Sequence, residues 1–231
     1  MNKRSIEAPS TKEEIYMANV GDYIKFGNYP QTANGDIQPI EWQVLAKEEN
    51  KMILISKYAL ESKCFDNDWV KNWKKSEIRQ WLNGEFYNKA FNENEKKLIR
   101  YSSISTEVEI KKKVGFGFVK SLFGEEEDFK FIRVSELTDD YIFLLSDDEV
   151  ITYFSDEEDE RKCKATEYAR EKYVNINGVD LKDDGYCCWW LRSPGPVYED
   201  AIDIIFDDGS FCGDACWSGY ELVRPALWIN I

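Results

Sequence analysis

Two apolar strands near the C-terminus constrain this chain most. Trp189-Trp190-Leu191-Arg192-Ser193-Pro194-Gly195 is answered by Val223-Arg224-Pro225-Ala226-Leu227-Trp228-Ile229. Each run sets one arginine and one proline among large hydrophobes. A guanidinium in such surroundings must be met by a carboxylate or by backbone carbonyls, because an unpaired buried charge is prohibitive. Trp189, Trp190, Arg192, Arg224 and Pro225 are therefore expected to be structural, the arginines pinning the bases of the loop between the strands. Successive strand residues point to opposite faces, so one tryptophan is expected in the core and the other free to stack on a ligand.

The intervening loop, residues 195–222, is rich in Asp, Gly, Ser and aromatic residues. Loops carried on a rigid frame are where binding concentrates. Tyr198, Asp203, Asp208, Asp214, Trp217 and Tyr220 are the candidate ligand-binding residues. Aromatic rings beside carboxylates suit a polar ligand with apolar faces, such as a glycan or a basic peptide. The bland alternative for the same residues is a solvated hairpin built on Asp-Gly turn chemistry.

No catalytic set is legible. The chain has no histidine, which excludes Ser-His-Asp and Cys-His catalysis, histidine zinc sites and the facial iron triad. The acids of the loop are chemically compatible with calcium, but the EF-hand pattern and the sugar-coordinating tripeptides of calcium lectins are absent, so no cofactor and no metal are expected. The net charge of −14, from 30 basic and 44 acidic residues, repels phosphate backbones and anionic lipids. Neither nucleic acid nor a membrane is an expected partner; a protein or glycan is.

Cys64, Cys163, Cys187, Cys188, Cys212 and Cys216 contain no CxxC pair, so neither a redox motif nor a zinc ribbon is indicated. The N-terminus has no apolar core of a secretory signal, and no apolar run approaches the ~20 residues of a membrane span. A cytoplasmic location with free thiols is the resulting expectation.

Residues 1–19 read as a polar tail. Tyr23–Phe26 alternates like a half-buried strand, and 40–45 with 52–56 reads as an antiparallel hairpin. Ser76 is an N-cap for a helix that turns Trp81 inward and stops at Gly84. Asn92 with Glu95, and Ser146 with Glu149, are capping boxes. Thr166 caps a further helix through Arg170. Residues 107–131, with the basic run Lys111-Lys112-Lys113 and the acidic run Glu125-Glu126-Glu127-Asp128, read as a surface insertion of hairpin form. Asp208-Gly209 signals a hairpin in a C-terminal meander.

A series of these segments resembles a known family. Gly21-Asp22-Tyr23-Ile24-Lys25-Phe26-Gly27-Asn28-Tyr29-Pro30, Glu41-Trp42-Gln43-Val44-Leu45, Ser76-Glu77-Ile78-Arg79-Gln80-Trp81-Leu82-Asn83, Phe143-Leu144-Leu145-Ser146, Trp189–Gly195 and Val223–Trp228 occur in the order of the bacterial domain of unknown function 6273. The resemblance spans about residues 20–231. That family is similar to the C-type-lectin-like fold, which includes the formylglycine-generating enzymes. The resemblance implies one α+β domain of antiparallel sheets and short helices. It also implies that the first and last strands pair, Tyr23–Phe26 against Ala226–Ile229, and that a long looped-out segment forms the ligand surface. It fixes no catalytic residue. The expected function is non-catalytic recognition through 195–222. One alternative is a variable binding protein of a diversity-generating retroelement, suggested by the Asp, Gly, Ser, Tyr, Cys and Phe crowding Tyr198–Tyr220. Another is an enzyme related to the formylglycine-generating group, in which paired thiols among Cys187, Cys188, Cys212 and Cys216 would hold copper.

Overall fold

The computed structural model describes residues 10–113, 129–154, 157–182, 184–195 and 200–231. Within the polar leader, Thr11 and Glu14 form a reciprocal capping box for helix α1 (Lys12–Met17), which buries Ile15. Lys47 Nζ donates to the carbonyls of Tyr16 and Ala18 at 2.7 and 2.9 Å, closing the far end. The leader is thus anchored on the domain from Ser10 onward.

Strands β1 (Tyr23–Pro30), β2 (Ile37–Lys47) and β3 (Lys51–Ser56) form an antiparallel meander, with Val44 opposite Leu54 as the 40–56 hairpin requires. The short strands β4 (Tyr58–Ala59) and β5 (Glu61–Ser62) follow. Helix α2 (Glu77–Trp81) starts on the Ser76 cap. It does not stop at Gly84: a π-helical turn over Leu82–Phe86 carries the chain into α3 (Tyr87–Ala90). The wider turn buries both Leu82 and Phe86 while Trp81 stays half-buried. Asn83 clamps it by accepting from Tyr141 N–H and donating to Ile142 O, both at 2.8 Å. The Asn92–Glu95 box opens α4 (Glu93–Lys96).

Strands β6 (Ser102–Lys113) and β7 (Phe129–Asp140) form a long two-stranded arm, in register from Ser102 opposite Asp140 to Lys113 opposite Phe129. The insertion is therefore a hairpin; the segment 114–128, with its acidic run, lies outside the described residues. After β8 (Ile142–Phe143), the Ser146–Glu149 box opens α5 (Asp147–Tyr153). Helix α6 (Glu158–Arg161) and strand β9 (Lys164–Ala165) lead to α7 (Glu167–Asn177), which outruns its expected end at Arg170. It terminates at Gly178 in the left-handed conformation. The C-terminal strands are β10 (Trp189–Pro194), β11 (Ala201–Ile205), β12 (Phe211–Ala215), β13 (Leu222–Val223) and β14 (Ala226–Asn230). β10–β11–β12 form a meander, but the expected meander does not continue, because β13 runs parallel beside β10 and β14 pairs with β3.

Two five-stranded sheets result, ordered β1-β2-β3-β14-β8 and β12-β11-β10-β13-β5. The fold is α+β, with mostly antiparallel pairing and short helices. The expected pairing of Tyr23–Phe26 with the C-terminal strand does not occur. β14 lies between β3 and β8, and β1 is the sheet's outer edge. The burial pattern gives the reason. β3 is apolar on both faces and suits a central position, whereas β1 leaves Tyr23 exposed and Lys25 and Asn28 only half-buried.

One apolar core runs through residues of both sheets and of the helices around them. Trp189 and Trp190 both belong to it, contrary to the expectation that one would face solvent. β10 is the middle strand of its sheet and is covered on both sides. Trp190 meets Phe65 edge-on and donates Nε1–H to Lys63 O, while Trp189 donates to Arg161 O. Among the described residues, no helix is long and apolar enough to cross a membrane.

Candidate functional site

The two frame arginines are buried, Arg192 1% and Arg224 3% exposed, but they are satisfied differently. Arg192 donates to both carboxylate oxygens of Glu149, and to Leu144 O at 2.7 Å, Ser105 O at 2.8 Å and Thr106 Oγ1 at 3.1 Å. It thereby fastens the root of the β6–β7 arm and α5 to β10. Arg224 donates to Ser56 O at 3.0 Å and lies over the Trp189 ring at 4.8 Å. Pro225 is buried beside it and accepts from Ser56 N–H through its carbonyl.

The junction held by Arg192 frames a cleft of about 420 Å³, lined by Glu107, Arg133, Asp147, Ser193, Gly195 and Asp203 together with Lys71, Asn72 and apolar side chains that include Phe211. Ser193 Oγ–H donates to Asp147 Oδ1 at 2.6 Å, and Asp147 N–H donates back to Ser193 Oγ at 3.1 Å. Asp203 projects from β11 over the backbone of Gly195, where an added Cβ would come within 3.1 Å of Asp203 Oδ1. Burial, and then the charge of Asp147, push the Asp203 carboxyl up to about 7 against the pull of Arg133. It can therefore exchange a proton near neutrality.

Beside this cleft stands an aromatic pair. Trp217, 48% exposed, and Trp69, 62% exposed, hold their ring centroids 5.3 Å apart with planes tilted by 34°. Trp217 Nε1–H donates to Asp200 Oδ2 at 3.0 Å. The Trp69 loop is hung from the same segment. Asp66 is buried, its N–H donates to Cys216 O at 2.9 Å, and its carboxylate accepts from the N–H groups of Asp68, Val70 and Glu77. Trp69 itself sits at φ 64°, the one non-glycine residue with positive φ among the described residues. Such a conformation persists only where neighbours over-determine it, and it is concentrated at functional positions. Lys71 and Asn72, on the cleft wall, are the continuation of this loop, so the ring pair and the cleft adjoin.

The six expected ligand residues separate into groups. Asp203 lines the cleft, and Trp217 forms half of the ring pair. Tyr220 is 54% exposed but turns its ring toward Tyr173 of α7, at 6.3 Å. Asp208 is a turn residue: its carboxylate accepts from Ser210 N–H and Oγ–H, and these bonds hold it below the usual carboxylate range. Asp214 is half-buried, and its carboxylate accepts from Ala215 N–H at 2.7 Å. Tyr198 lies outside the described residues. Sequence reasoning missed Trp69, Lys71, Glu107, Arg133, Asp147 and Ser193, all of which reach the site from outside the 195–222 loop or from its rim. A lone tryptophan within Asn67-Asp68-Trp69-Val70 was the one available signal.

The arrangement offers flat apolar rings, hydrogen-bonding acids and two basic side chains around one opening. Among the described residues, no three Cys, Asp or Glu side chains converge to hold a metal ion, and all six cysteines are free thiols. No curated protein and no solved structure matches the chain significantly. The profile of the domain of unknown function DUF6273 matches residues 49–231, a span that begins just before β3 and takes in both strands of the ring-bearing frame. The chain therefore belongs to the DUF6273 family.

Proposed function

We propose that the protein is a non-catalytic recognition module that binds a glycan or a protein surface at the Trp69–Trp217 pair and the adjoining cleft. The carrying observation is the ring pair itself: two exposed indoles, one strained and one oriented by Asp200, held by buried anchors. Exposed aromatic anchors dominate recognition energetics, often at ~2 kcal/mol or more each. Indole faces match the C–H faces of a sugar ring, and the acids beside them match its hydroxyls. The described residues lining the cleft include no cysteine, which supports recognition over thiol-based oxidation.

The fold is read here as a divergent C-type-lectin-like one. Within the family-matched span β3 is the first strand and β14 the last, and these two are hydrogen-bonded neighbours. On this reading β1 and β2 extend the sheet outward from the ancestral pair.

The test is calorimetric titration of the full chain against soluble oligosaccharides and glycoproteins, with the Trp69→Ala/Trp217→Ala double variant as comparison. Binding weaker by about thirtyfold if one ring dominates, and by about a thousandfold if both anchors contribute in full, is expected in the variant, with an unchanged melting temperature. Unaltered affinity in the double variant defeats the proposal.

A further inference from the structure

Beneath the opposite end of β10 lies a pair of thiols that the recognition site does not use. Cys163 and Cys187 are both buried and are directly opposed across a short antiparallel ladder. Lys164 bridges Tyr186, Ala165 N–H donates to Gly185 O at 3.2 Å, and Cys187 N–H donates to Cys163 O at 2.9 Å. Opposed residues of an antiparallel pair have Cα atoms about 4.5–5.5 Å apart, within the span a disulfide bridges. The Cys187 side chain reaches across as well, its Sγ lying 3.4 Å from Cys163 O.

The surroundings favour a thiolate at Cys163. Burial opposes it, but the hydrogen bond from Cys187 and the positive charge of Arg224 outweigh burial and lower the Cys163 thiol, while Cys187 is raised. Arg224 donates to the carbonyls of Ser56 and Arg161 and lies over the rings of Trp189 and Phe154, so its charge is free to favour an anionic sulfur. A cleft lies on the Arg224 side, and neither buried thiol is among the residues that line it. Arg224 lines a cleft of about 460 Å³ with Tyr23, Lys57, Tyr153 and Lys162. Cys163 follows Lys162 in the chain and reaches Lys57 O at 3.7 Å, so its sulfur lies beside two residues of that wall.

We propose that Cys163 and Cys187 are a reversible oxidation site that closes to a disulfide under a hydroperoxide. The Cys163 thiolate attacks a peroxide oxygen: an S–O bond forms, the O–O bond breaks, and the leaving oxygen takes a proton and departs as water or alcohol. Cys187 then attacks the Cys163 sulfenic acid: the S–S bond forms, the S–O bond breaks, and water leaves with the Cys187 proton. Two thiols are oxidised by two electrons in all, and one peroxide is reduced. Low-pKa thiolates beside a resolving cysteine follow this course where a peroxide reaches them, so a small one is required at this buried pair. The bridge would close the loop that carries α7 and lock β9 onto the strand bearing Trp189.

The experiment uses the full chain and hydrogen peroxide. After exposure, the protein is denatured, its remaining thiols are alkylated, and its peptides are mapped by mass spectrometry with and without prior reduction. The expected result is four alkylated cysteines out of six, one Cys163–Cys187 linked peptide, and full recovery of six after reduction. Cys64→Ser should leave the link in place, and Cys163→Ser should abolish it. Six alkylated thiols after peroxide, or bridges that join Cys187 or Cys163 to other cysteines in comparable yield, overturn the proposal. The wild-type map decides the matter even if Cys163→Ser fails to fold.

Discussion

Glu149 closes the capping box of α5 through Ser146 N–H and, with the same carboxylate, holds Arg192 of β10 by both oxygens. One side chain therefore starts a helix and neutralises the most buried guanidinium among the described residues. The consequence is asymmetric. Removing the acid strands a charge in the core, which typically costs ~3–5 kcal/mol, whereas replacing a buried ion by a hydrophobe of similar shape is often much less harmful.

Glu149→Ala is accordingly expected to destabilise the protein by about 3–5 kcal/mol, with loss of the cap adding to loss of the partner. Urea unfolding should also show Glu149→Ala to be more damaging than Arg192→Met. The reverse order would mean that the carbonyls of Leu144 and Ser105 alone suffice for Arg192.

Deleting residues 222–231 removes β13 and β14. β14 stands between β3 and β8, so the deletion opens the centre of one sheet and exposes apolar edges. The expected outcome is an aggregating or molten product without a cooperative melt by calorimetry. A truncated chain that melts at the wild-type temperature would refute the central placement of β14.

Gly209 is required by both conformation and contact. It sits at φ +90°, and a Cβ there would lie 2.0 Å from Glu158 O on the first residue of α6. Gly185 has φ +76° but open space around it. Gly185→Ala should show the left-handed penalty alone, about 1–2 kcal/mol. Gly209→Ala should exceed it clearly and displace α6, whose Arg161 donates to Gly209 O. Chemical denaturation of the two variants side by side checks this; equal losses would mean that α6 yields freely.

What the sequence made legible was local. Ser146 with Glu149, Asn92 with Glu95, and Thr166 cap helices because the partner lies three residues away on the same turn. Asp208-Gly209 and the 40–56 hairpin are equally short-range. Strand order was not legible, because β1 and β3 both look like strands that β14 could join. The discriminating sign is the unbroken apolar run Met52-Ile53-Leu54-Ile55, which marks a strand covered on both faces. The burial of both Trp189 and Trp190 has the same origin. Trp69 was invisible for another reason: its position depends on Asp66 reaching Cys216, a contact between distant parts of the chain. The cleft likewise needs Asp147, Ser193 and Asp203 from three separate elements.

The last expectation concerns pH. Glu221, 1% exposed, carries an Oε2 with no hydrogen-bond partner among the described residues. Burial, then the hydrogen bond with Asp214, push its carboxyl from 4.5 up to about 9. In the folded protein it is therefore neutral across a range where the unfolded chain has already ionised. Its contribution to stability is complete below pH ~4.5, declines as pH rises, and has been lost once pH passes about 9, at a limiting slope of about 1.4 kcal/mol per pH unit. Asp203, raised by burial and Asp147 to about 7, acts in the same direction but only up to that pH. Cys163, lowered by its neighbours, acts in the opposite direction above it. Glu221 is therefore isolated by difference. The stability of Glu221→Gln relative to wild type should climb steadily from pH 5 to pH 9 in urea titrations, and the variant should be the more stable protein at the alkaline end. The amide keeps the shape of the neutral carboxyl, so little change is expected at pH 5. A stability difference that does not vary over this range would show that Glu221 ionises in the folded protein as it does in water.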